Sequence, residues 1–227
     1  MRTATVLGVL GIAAALASPA SADEFSGFRL GLNLSQEQMD SDLYLGAIDE
    51  TDTLNNNRFG YGLMGGWALN KWFAVEATLQ GGSDFNADTF RDLLAADEYI
   101  KSHTDVKGLE ASAVGTFWIG KRFAVFGRVG MLGWKAEQTL SAGIYDDPDT
   151  RGTASKDDTG FDPVFGIGLQ TMLDGALVRL EYKMSEIGDL TLNDLGDPDD
   201  PNDDSNVFSL RNTELSSVQF SIVWNLN

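Results

Sequence analysis

Residues 58–81 read RFGYGLMGGWALNKWFAVEATLQG. Up to residue 69, every second side chain is large and apolar: Phe59, Tyr61, Leu63, Trp67 and Leu69, with Gly65 as the one gap. The residues between them are Gly60, Gly62, Met64, Gly66 and Ala68. After Asn70-Lys71 the alternation resumes, with Phe73, Val75, Ala77 and Leu79 against Ala74, Glu76, Thr78 and Gln80. A period of two is the mark of a strand whose faces meet different surroundings. Two such runs joined by a tight turn form a hairpin.

The same reading extends along the chain. Six further segments alternate: 28–34, 106–119, 121–133, 163–173, 176–184 and 215–226. With the hairpin they make eight strands, each with one apolar face. Asn70-Lys71, Gly120-Lys121 and Asp174-Gly175 are tight turns, and Asp-Gly suits a type I′ hairpin, which needs positive φ at both central residues. The remaining connections are long and polar. They fall in 35–57, 82–105, 136–160 and 186–212, and these stretches hold most of the 34 acidic residues that set a net charge of −18. Short turns at one rim and long loops at the other define an up-and-down antiparallel barrel.

Compartment and solvent follow. Met1-Arg2, the apolar run 5–16 and the small-residue site Ala20-Ser21-Ala22 have the layout of a secretory signal peptide over 1–22. The barrel is then 23–227, exported without cysteine. No segment after the leader has the roughly 20 apolar residues of a membrane helix. A closed barrel is the other structure that satisfies its backbone in lipid. A soluble barrel would carry charges on its outer face. Here the non-apolar face is mostly Gly, Ala, Ser, Thr and Gln, which suits a cramped lumen. The apolar face therefore points to lipid, with short turns in the periplasm and acidic loops outside. Phe59, Tyr61, Trp67, Phe117, Phe123, Tyr182 and Trp224 are placed for interfacial girdles. Trp72, Trp118 and Trp134 are out of phase and are expected to point inward.

Phase also selects the inward charges: Arg29, Glu76, Glu110, Arg128, Arg179, Glu181 and Lys183. Buried charges must be paired, so these are expected to form an ion-pair network that plugs the lumen. The alternative is a narrow channel or small-ligand binder in which Arg128, Arg179 and Lys183 face water. Residues 87–99 carry Phe90, Leu93 and Leu94 at helical spacing, consistent with a short capping helix.

The signal, the eight amphipathic strands and the final strand 215-LSSVQFSIVWNLN-227 resemble small outer-membrane β-barrel proteins of the OmpA-type transmembrane domain, a porin-like family. The resemblance spans 23–227. It implies a Gram-negative cell envelope, contact with membrane lipids and lipopolysaccharide, and handling of the last strand by the barrel-assembly machinery. It also implies a monomer with a structural or surface-interaction role. That family usually ends on an aromatic residue, whereas this sequence ends on Asn227. A peptidoglycan-binding module after the barrel is not expected from this sequence.

Other chemistry is thin. Nothing basic is clustered to bind nucleic acid phosphate. His103, beside Ser102 and near Asp105, is the lone histidine and a remote candidate for a lipid-modifying enzyme, but a triad is defined by geometry. Asp197, Asp199, Asp200, Asp203 and Asp204 crowd oxygen donors yet lack the spacing of a calcium loop. The sequence thus predicts no cofactor, no metal and no catalytic residue.

Overall fold

The computed structural model describes residues 26–45, 50–82, 85–89, 98–144, 147–192 and 208–226. The strands are β1 (Gly27–Leu45), β2 (Glu50–Ala68), β3 (Phe73–Gly82), β4 (Phe85–Thr89), β5 (Glu98–Ile119), β6 (Phe123–Ile144), β7 (Asp147–Leu173), β8 (Ala176–Leu192) and β9 (Phe208–Leu226). β3 and β4 pair in succession with β5, as Gln80 with Gly108 and Phe85 with Thr104, and together make one stave. All neighbours are antiparallel, and β1 pairs with β9. Through the β1–β9 and β3–β5 pairings the sheet closes into an eight-stave barrel, in which β7 and β8 pair from Val164 and Ser185 down to their turn.

The turns explain their sequences. Asp174 and Gly175 have φ of 44° and 84°, the left-handed pair that a two-residue hairpin needs. Gly120 opens the β5–β6 turn at φ 75°. The β2–β3 turn is held by its asparagine: the Asn70 carboxamide oxygen accepts from the backbone N–H of Trp72 at 2.7 Å and of Phe73 at 3.0 Å.

The strands run well past the ends assigned from sequence. β5 and β6 each have 22 residues and β7 has 27, against the roughly 9–11 that cross a bilayer. Much of what reads as acidic loop is therefore wall. The cause is an inversion of amphipathicity. Below, the outer side is apolar (Leu32, Leu63, Leu109, Val129, Ile167) and exposed. Above, the inward side is apolar: Met39, Phe85, Val106, Leu132, Trp134, Ala136, Ile187 and Leu215 form one buried cluster. The outward positions there are Asp42, Asp105, Glu137, Asp157, Glu186 and Glu214. The upper strands are built like the wall of a water-soluble protein, the lower ones like a membrane wall.

Two further expectations are corrected. Trp72 does not point inward. It lies exposed in the turn, tilted against Phe117 with ring centroids 6.4 Å apart. The helix over 87–99 is not formed at its ends, since Ala87–Thr89 belong to β4 and Glu98 and Tyr99 to β5. Residues 90–97 lie outside the described residues, as does the leader 1–22.

Candidate functional site

The strand pleat sends alternate side chains inward, and the inward side chains stack in layers along the axis. Nearest the short turns, Met64, Met172, Leu177 and Val223 pack together with Trp118 against them. Trp118 is anchored there by donating from Nε1 to the Lys71 carbonyl at 2.8 Å.

The next layer is ionic. The structure brings all seven inward charges named above into one cluster. Arg128, on β6, is its hub. Its guanidinium meets Glu110 at 2.7 Å, Glu181 at 2.7 Å and Glu76 at 3.0 Å, and donates to Ser112 at 2.9 Å. Arg179 reaches Glu76 at 2.8 Å, donates to the Gln170 side chain at 3.0 Å and lies 5.2 Å from the centre of the Phe126 ring. Lys183 reaches Glu110 at 2.9 Å, and Arg29 stands 4.0 Å from Glu76. Every one of these residues is buried. Arginine suits the hub because its planar fork serves several carboxylates at once. Space for it comes from a small neighbour: at Gly166 a Cβ would occupy the place of the Glu181 carboxylate.

A second ion pair escapes a sequence reading that ends β1 at residue 34. Glu37 accepts from Arg58 at 2.6 Å and from Ser35 at 2.9 Å. Arg58 also sits 4.4 Å over the Phe85 ring. The signal is present, since Glu37 continues the phase of Arg29 and Arg58 that of Gly60. Above this pair lies the apolar cluster, in which Trp134 donates from its indole N–H to Asp162. Between the two ionic layers, the amide atoms of Asn33 are buried without a protein partner.

On the outer wall, Phe59, Tyr61, Trp67, Phe117, Phe123, Tyr182 and Trp224 are all exposed. Just above the apolar band, Lys135 pairs with Asp157 at 2.6 Å and Lys107 pairs with Asp105. Those hydrogen bonds and the charges behind them hold both ammonium groups above the ordinary lysine pKa.

His103 is exposed on β5, whereas Asp105 is engaged by Lys107. The side chain of Ser102 lies outside those described, as do the aspartates at 197, 199, 200, 203 and 204. Among the described residues, no three His, Cys, Asp or Glu side chains are grouped to hold a metal ion.

A closed eight-stave barrel with a polar, filled interior and an apolar outer wall defines an outer-membrane barrel protein. The model of the outer membrane protein beta-barrel domain family matches residues 6–212, and the chain belongs to that family. Its compartment is accordingly the outer membrane. Among solved structures it is similar to Neisserial surface protein A, at 11% identity over 88% of this chain and 98% of that one, TM-score 0.47. OprG of Pseudomonas aeruginosa matches at 14% identity over 91% and 100%, TM-score 0.49. Ail, the attachment invasion locus protein of Yersinia pestis, matches at 13% identity over 88% and 99%, TM-score 0.44. No curated protein matches the chain.

Proposed function

We propose that this protein is a non-conducting, non-enzymatic barrel that anchors an acidic, strand-built collar at the cell surface. The observation that carries the reading is the filled lumen. Apolar side chains occupy both of its ends and two buried ionic layers lie between them. Breaking a buried ion pair costs about 3–5 kcal/mol, so a water path through these layers would need several such breaks together. The aromatic residues on the outer wall serve as interfacial belts. The short-turn rim faces the periplasm. The collar then projects from the outer leaflet, where its carboxylates meet lipopolysaccharide and soluble partners. The barrel-assembly machinery would insert the monomer, with β9 closing on β1.

A second reading, a narrow channel, is favoured by the buried polar atoms of Asn33, Arg58, Arg179 and Glu181 that have no protein partner. Such groups are ordinarily satisfied by water. Planar-bilayer recordings separate the two. The sealed barrel gives no unitary conductance steps at 1 M salt. Reproducible steps that vanish when the protein is omitted would replace it with the channel.

A further inference from the structure

Among the described residues, β7 and β8 pair only from Val164 and Ser185 down to their turn. Above that point β7 stays with β6, and β8 stays with β9. The residues at the parting end the ladder there. The Ser185 hydroxyl donates to the Pro163 carbonyl at 3.1 Å, so the polar backbone atoms of Pro163 face β8. Residues in a hydrogen-bonded pair exchange an N–H and a C=O in both directions, and proline has no N–H to give. On the other side of the split, β8 shifts register against β9 between Glu186 and Gly188 and again between Gly188 and Leu190. Such irregularities bend a strand and interrupt its pairing.

A cavity of about 130 Å3 opens at the foot of this split. Ser185 and Leu215, which bound it, are buried inward side chains, and Leu215 belongs to the upper apolar cluster. Phe165 and Met184, which also bound it, are exposed on the outer wall. The cavity therefore crosses the plane of the sheet. Its lip carries Glu186 and Glu214, directly opposite one another on β8 and β9 and both exposed. Like charges so placed destabilise a strand pair. Among the described residues no cation pairs with either carboxylate. An apolar recess and an unneutralised pair of carboxylates thus meet in one place.

We infer that this cavity binds a small primary amine whose apolar body is about the size of one aromatic ring. An apolar cavity of about 150 Å3 takes benzene, and this one is close to that size. The body enters between β7 and β8 and rests on Phe165, Met184 and Leu215. The ammonium group stays at the lip, where Glu186 and Glu214 accept its hydrogen bonds, and bonds between charged partners are the strong ones. A neutral ligand leaves the two carboxylates facing each other as before. A carboxylate ligand adds a third negative charge to them, and a bare divalent cation leaves the recess empty. The ligand arrives from the water above the apolar band, and the site requires neither a sealed nor an open lumen below it.

The test is a titration of the full chain, folded in an uncharged detergent with its methionine methyl groups labelled with carbon-13, by benzylamine, benzyl alcohol and benzoate in turn. The Met184 methyl signal, assigned by M184L, reports on the cavity, and the buried Met64 and Met172 at the other end of the barrel serve as controls. Two exposed carboxylates at one ammonium group amount to about a fivefold preference. Benzylamine should move the Met184 signal saturably, about fivefold more tightly than benzyl alcohol, while benzoate and calcium chloride leave it in place. E186Q/E214Q should bring benzylamine and benzyl alcohol to equal affinity. Ser216→Phe, which fills the recess from its outer side, should abolish binding of both. Equal or tighter binding of the alcohol by the unaltered protein overturns the site, as does binding of benzoate, an equal shift with calcium alone, or indifference to either variant. Shifts of all the methionine signals together, which mark partition into detergent, overturn it as well. If a variant fails to fold, the titrations of the unaltered protein decide for or against the site by themselves.

Discussion

Replacing Arg128 by methionine separates geometry from net charge. The lower ionic layer holds four cations (Arg29, Arg128, Arg179, Lys183) and three anions (Glu76, Glu110, Glu181), a formal sum of +1. R128M brings that sum to zero, so an argument from total charge predicts little loss. The contacts predict otherwise. Glu76 keeps Arg179 at 2.8 Å and Glu110 keeps Lys183 at 2.9 Å. Glu181 loses the guanidinium at 2.7 Å and has no other ion pair among the described residues. One fully buried carboxylate is left without its cation, which costs about 3–5 kcal/mol. E181Q removes that charge, so R128M/E181Q should recover about half of the loss, a coupling expected only between residues in contact. The assay is reversible urea unfolding in lipid vesicles, followed by tryptophan fluorescence and by the fraction migrating as folded on unboiled gels. A loss below about 1 kcal/mol for R128M, or a double variant no more stable than the single, would refute the network as drawn.

Four shorter expectations accompany it. R58L should cost about 3 kcal/mol by stranding Glu37, and R58L/E37Q should restore part of it in the same unfolding assay. Gly166→Ala should cost about 1–3 kcal/mol, since its methyl group displaces the Glu181 carboxylate from a filled lumen. Val129→Arg, in the middle of the apolar outer band, should cost about 2–4 kcal/mol, while Glu137→Arg on the collar should cost about 1 kcal/mol or less. Equal costs at the two positions would contradict the boundary drawn between them. H103A should leave the lipid A profile of overexpressing cells unchanged by mass spectrometry, and a changed profile would reopen an enzymatic role.

The barrel is legible where lipid enforces a strong contrast between faces. Leu30, Leu32 and Leu34 against Arg29, Gly31 and Asn33 fix the phase, and the same phase locates the seven charges of the lower layer. Legibility fails where the contrast reverses. Beyond Ser35 the outward positions of β1 are Gln36, Gln38, Asp40 and Asp42 and the inward ones Glu37, Met39 and Ser41. With polar residues on both faces and one methionine among them, the strand reads as loop, and Glu37 and Arg58 are lost with it. Trp72 is misplaced for a different reason: strand parity does not carry into a turn, where the Asn70 side chain directs the backbone. The partner of the collar has no counterpart in any residue pattern, because its carboxylates are set by solvation as readily as by recognition.

The central claim is that the lower wall of this barrel sits in the outer membrane and folds around a filled lumen. Fractionating the envelope of expressing cells and running the outer-membrane fraction with and without boiling tests it most directly. The account predicts recovery in that fraction and faster migration of the unboiled sample, with the shift abolished by boiling. Recovery in the soluble periplasm, or identical migration of the two samples, would contradict it.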